Sequence, residues 1–82
     1  MKAFEIETYG QKDIVVAHSV LKAIKFYIEV NGCNLFDIDV VSEIANEKWD
    51  FIVIDNAITL SDLMCDIKAP AIIATNIKPI YN

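Results

Sequence analysis

His18, Cys33 and Cys65 are the residues of this chain whose types could carry covalent chemistry, because an imidazole beside a thiolate is the smallest pair that makes a nucleophile. Such a pair also needs a group that orients the imidazole and a site for an oxyanion. With Gly10 and Gly32 as the only glycines, no Gly-rich turn is present to build that site or to cradle a phosphate. Zinc is disfavoured on spacing. Two cysteines with 31 residues between them and a single histidine lack the short paired spacings that preorganise a tetrahedral centre. No catalytic residue, metal or cofactor is therefore assigned, and a protein that acts by binding is expected. The two cysteines are expected as small buried thiols of a reducing compartment.

Carboxylates are the more abundant chemistry. Twelve Asp and Glu face seven Lys and no Arg, a net charge of −5. Between Asp37 and Lys68 there are eight acids against Lys48 and Lys68, a local balance of −6 that leaves +1 for the rest. Without Arg the chain lacks the bidentate fork that reads phosphate and guanine edges, so direct nucleic-acid binding is not expected. The acidic half can be a solvated face that keeps an apolar chain soluble, or a negative field that steers it to a basic groove and competes with nucleic acid there. In the second case the contact residues are Asp39, Glu43, Glu47, Trp49 and Asp50. Trp49, in "NEKWDFIVID", sits where a loop meets an apolar run. It can close one end of a core while its N–H reaches a carbonyl, or it can anchor a partner.

The elements that must position these residues follow from periodicity. "KAFEIETY" alternates Phe4, Ile6 and Thr8 with Glu5 and Glu7, a strand with one face buried. "GQKD" supplies turn chemistry and "IVVA" resumes as the second strand of a hairpin. Ser19 precedes "VLKAIKFYIEVNG" as an N-cap and Gly32 follows as a C-cap, which predicts a helix over 20–31. Val20, Ala23, Ile24, Tyr27 and Ile28 form its apolar stripe. Phe26 and Val30 fall off that stripe; they either widen the buried face of the helix or form a second apolar surface, the candidate interface of a homodimer. In "DIDVVSEI", Ile38, Val40, Ser42 and Ile44 are expected on one side and Asp39, Val41 and Glu43 on the other. "DFIVID" suits a central strand, "TLSDLMCDIK" a short helix capped by Thr59 and Asp62, "AIIAT" a last strand, and the Pro79 tail an exposed end. The order β-β-α-β-β-α-β makes residues 1–82 a single α+β domain, with one mixed or antiparallel sheet of about five strands.

Length and composition set outer limits. A chain of 82 residues allows one core, and 55% hydrophobic residues with two Gly and two Pro is a folding composition. So many apolar residues in so small a body leave some outside, which favours self-association. The runs "FIVI" and "AIIA" are far below the ~20 residues of a helical membrane span, and Glu5 and Glu7 interrupt any signal-peptide core. A cytoplasmic location is expected.

The strand "KAFEIETYG", the return "DIVVAHS", the helix "VLKAIKFYIEVNG", the passage "EIANEKWDFIVI" and "APAIIAT" together resemble small proteins of phages and other mobile elements of low-GC bacteria. That resemblance covers most of the chain and rests on structural motifs. It implies a setting in the host bacterial cytosol, where short acidic proteins inhibit host defence, anti-CRISPR proteins among them. The partner it implies is a basic surface of a nucleic-acid-handling protein complex. An oligomer that sequesters a small signalling nucleotide is the alternative, with Lys22, Lys25 and backbone N–H groups holding phosphate. A small interaction module without that setting is a further one.

Overall fold

The structure, a computed structural model, describes residues 1–75; the expectation for the Pro79 tail lies outside them. Strand β1 (Lys2–Thr8) turns at Tyr9–Gly10 into β2 (Gln11–Ala17), with Thr8 opposite Gln11 and Lys2 opposite Ala17. Both turn residues have positive φ, 50° and 81°, as a two-residue turn matched to strand twist requires. The turn thus shares only Gly10 with "GQKD", and Gln11–Asp13 already belong to β2.

Helix α1 (Val20–Asn31) spans the expected residues. The Ser19 hydroxyl accepts the Lys22 N–H, and Gly32 closes the helix at φ 67° with its N–H on the Ile28 carbonyl. A 3₁₀ turn (Leu35–Asp37) leads to β3 (Ile38–Ile44), and a second 3₁₀ segment (Asn46–Phe51) leads to β4 (Val53–Asp55) and β5 (Ile58–Thr59). Helix α2 (Leu60–Met64) carries the reciprocal cap, in which Thr59 Oγ1 accepts the Asp62 N–H and Asp62 accepts the Thr59 N–H. Strand β6 (Ala71–Thr75) completes the described residues.

Four strands make one antiparallel sheet in the order β3-β1-β2-β6, while β4 and β5 form a separate ribbon. The fold is α+β, with β1 and β2 at the centre. "DFIVID" is not a central strand: three of its residues enter the ribbon, where Val53 and Asp55 are exposed. Directly paired residues share a face. Phe4, Ile6, Val15 and Ala17 therefore point together at Ala23 and Tyr27 of α1. Ala3, Ile14 and Ile44 point the other way, against Leu60, Trp49, Ile52 and Met64. Beyond that second layer the same face carries Glu5, Glu7 and Lys12, with the Lys12 ammonium 3.8 and 3.9 Å from the two carboxylates. Exposed pairs of this kind contribute at most about 1 kcal/mol and so do not organise the fold.

The β4–β5 turn holds Asn56 at φ 40° and Ala57 at φ 71°. A Cβ in that left-handed region costs about 1–2 kcal/mol, more than the extra chain entropy glycine loses on folding. Ala57→Gly is expected to stabilise the protein by about 0.5 kcal/mol, read as a higher urea midpoint. A lower midpoint would rule out this turn geometry.

Candidate protein-binding surface

The five acidic-half residues singled out above flank one sheet edge. Asp39 and Glu43 lie on β3, the outer strand beside β1; Glu47, Trp49 and Asp50 lie in the 3₁₀ segment that leaves the end of that strand. They do not share one face. Glu43 is paired with Phe4 and so sits on the α1 side, while Trp49 packs in the layer on the opposite side. The alternation expected along β3 also breaks at Asp39. Thr8 opposes Ile38 and Glu7 opposes Val40, so Asp39 is the extra residue of a bulge, and Ile38 moves to the Val41 face against the α1 core.

Trp49 is half-buried against the cluster of Ala3, Ile14, Ile44 and Leu60, and its Nε1–H donates to the Ile44 carbonyl at 3.1 Å. The indole thus closes the second layer. Glu47 and Asp50 beside it are exposed, as are Asp39, Glu43, Asp55, Asp62 and Asp66. Glu43 Oε1 lies 3.8 Å from the Lys2 ammonium, with both side chains at least half exposed.

Three apolar residues were not singled out by periodicity. Phe36 is 97% exposed, Tyr9 80% and Leu35 59%, all at the hairpin-turn end of the sheet. Two carboxylates tie together the turns that carry them. Asp37 accepts the Asn34 N–H at 2.9 Å and the Tyr9 hydroxyl, and Asp39 accepts the Tyr9 N–H at 3.2 Å. Phe26, in contrast, packs against the α1-side core, so of the two residues assigned to a dimer interface only Val30, 58% exposed, faces outward. Val20, expected in the buried stripe, is 42% exposed, and Leu21 is 75% exposed.

The Asn34 N–H and then the Tyr9 hydroxyl hold the Asp37 carboxyl below its ordinary value of 3.8, and Asp37 in turn raises the Tyr9 phenol above 10.0. The signs are opposite. A depressed carboxyl stabilises the fold above pH 3.8 and loses that contribution as pH falls through its folded value; a raised phenol stabilises below pH 10.0 and loses it as pH rises. Tyr9→Phe is expected to lower the melting temperature at neutral pH, with the wild-type and variant curves converging at both pH extremes. A constant offset from acid to alkali would refute the pairing.

A second carboxylate escaped the sequence reading altogether. Asp13 is 2% exposed on the α1 face and accepts the Gln11 side-chain amide at 3.1 Å. Beside it the Tyr27 hydroxyl and Thr8 Oγ1 are 2.6 Å apart, and burial raises the Tyr27 phenol, with Asp13 adding to the shift. This polar group is closed under α1 and fully partnered. Its position follows from the inward parity of Gln11, Asp13, Val15 and Ala17 once β2 begins at Gln11.

His18 and Cys33 are not brought together. His18 is exposed before α1 and Cys33 follows it, so the helix of 12 residues, about 18 Å long, separates imidazole from thiol. Cys65 is exposed rather than buried, and its Sγ–H donates to the Ser61 carbonyl. The sheet stands between the thiols, since Cys33 packs on the α1 side and α2, which precedes Cys65, on the other. Among the described residues no three His, Cys, Asp or Glu side chains gather into a cation site, and no helix is long and apolar enough to cross a membrane.

No known family, curated protein or solved structure matches this chain.

Proposed function

We propose that the chain is a non-enzymatic binding protein that docks on a basic surface of a nucleic-acid-handling protein complex, as a phage-derived inhibitor of host defence would. One observation carries this reading: the exposed carboxylates concentrate along an outer sheet edge and the segment leaving it, with Asp39 and Glu43 on β3 and Glu47 and Asp50 beyond. Such a field accelerates encounter with a cationic groove and repels nucleic acid from the same groove. The exposed aromatics Tyr9 and Phe36 at one end of that edge add apolar area of the type that dominates interface energies.

Charge reversal tests it. Glu47→Lys combined with Asp50→Lys is expected to leave the melting temperature nearly unchanged, since exposed charges shift stability by under about 0.5 kcal/mol. The same protein should lose a specific bacterial partner in pull-downs from nuclease-treated lysate. Association should also slow as salt rises through about 0.15 M, where the screening length is about 8 Å. A partner held equally by wild-type and charge-reversed protein, or held only through nucleic acid, would contradict the reading.

A further inference from the structure

The β3 edge is open over a regular run. β1 is its one extended neighbour among the described residues, and the pairing of Ile44 to Val40 with Ala3 to Glu7 is uninterrupted. In an antiparallel ladder alternate residues turn N–H and C=O toward the partner and the others turn them outward. Val40–Ile44 therefore presents an unpaired row of donors and acceptors along its free side. Among the described residues the opposite edge offers less, because the register of β6 shifts between Ile72 and Ala74, which breaks such a row.

The side chains of β3 decide which strand can use that row. A second copy paired antiparallel about Val41 would set Asp39 opposite Glu43 twice, and like charges directly opposed are destabilising. That disfavours self-pairing of β3 in this register. Cations at the same two positions turn both repulsions into attractions. Glu43 meets Lys2 through Oε1 alone and remains half exposed, so its second oxygen is open to another cation. Between the acids, Val40 and Ser42 are exposed and uncharged.

We propose that β3 is a strand-addition site that takes, along Val40–Ile44, an extended segment of a partner protein carrying Lys or Arg four residues apart, one opposite Glu43 and the other reaching Asp39 at the bulge that ends the regular run. Main-chain bonds to the free row give the affinity, and the two acids select the sequence while opposing the protein's own strand in the Val41-centred register. The proposal rests on the basic-partner reading above and narrows it to one edge and one backbone conformation.

A capped peptide Thr-Lys-Val-Thr-Val-Lys-Thr is the probe, titrated at millimolar concentration into the ¹⁵N-labelled full chain. Amide shifts are expected to concentrate at Asp39–Ile44, and a peptide with Glu in place of Lys should give none. Methylating the backbone nitrogens along one edge of the peptide keeps its charge but removes the ladder, and is expected to weaken binding by at least about tenfold. Glu43→Lys should weaken it similarly. Equal binding of the methylated peptide would overturn strand addition while leaving the acidic-surface reading standing, as would shifts centred on Ala71–Thr75. No shift with the lysine peptide also overturns strand addition. If, in addition, charge reversal at Glu47 and Asp50 spares the captured partner, the basic-partner reading falls with it.

Discussion

Trp49→Ala is expected to lower the unfolding free energy by about 3 kcal/mol, toward the lower end for large aromatic truncations because the indole is only half-buried. Two losses combine in that figure. The side chain leaves a void against Ala3, Ile14, Ile44 and Leu60, and the Ile44 carbonyl loses its indole donor. Trp49→Phe separates them: it keeps most of the packing and removes the hydrogen bond, so a loss of about 1 kcal/mol is expected. Urea denaturation followed by circular dichroism reads both. If Trp49→Ala unfolds at the wild-type midpoint, the indole is not part of the core, and its role has to be sought at an interface instead.

Phe4→Ala should be more damaging still. Phe4 is 1% exposed at the centre of the sheet, between Val15 on β2 and Glu43 on β3, and packs with Ile6, Ala23 and Tyr27 beneath α1. Truncation at such a site costs about 4 kcal/mol, against a total stability of about 5–15 kcal/mol for a domain. A sharply lowered melting temperature is the expected outcome, with a measurable unfolded fraction at 37 °C if the parent stability lies at the low end of that range. Phe4→Leu, which preserves most of the volume, should remain folded with a loss of about 1.5 kcal/mol. A Phe4→Ala protein that melts at the wild-type temperature would mean that α1 is not held on the sheet through this residue.

The acidic surface was legible in part. That carboxylates crowd the stretch from Asp37 onward is a matter of composition, and exposure followed because an unpaired carboxylate is costly to bury. What composition could not show is that Asp39 and Glu43 stand on an edge strand rather than an inner one, which depends on which strands pair. Nor did periodicity flag Phe36, Leu35 and Tyr9. Each lies in a turn, where no repeat exists to assign a side, and their exposure is known only once Asp37 and Asp39 are seen tying the two turns together. For Phe26 spacing leaves a widened buried face and an outer surface both open, and the core decides for the first: Phe26 packs with Cys33, Ile38 and Val41 against the cluster under α1.

Local chemistry by itself determined the hairpin strand β1, helix α1 with both caps, the Thr59–Asp62 cap of α2, the strand at "AIIAT" and the α+β class. These depend on interactions between residues a few positions apart: an alternation of two, a repeat of 3.6, a hydroxyl facing an orphan N–H, a glycine at positive φ. Tertiary structure alone decided that β4 and β5 leave the main sheet, that Asp13 is buried, that a bulge at Asp39 reverses the faces of β3, and that Trp49 closes the layer opposite α1. Each of these is a choice among partners distant in the chain. The short run "DFIVID" satisfies a central strand and a peripheral ribbon equally well, and the side on which Asp13 falls is set by where the Tyr9–Gly10 turn starts the return strand. Register and strand order are settled by the burial of whole faces at once, because a shift of one residue moves every side chain of a strand to the other side of the sheet.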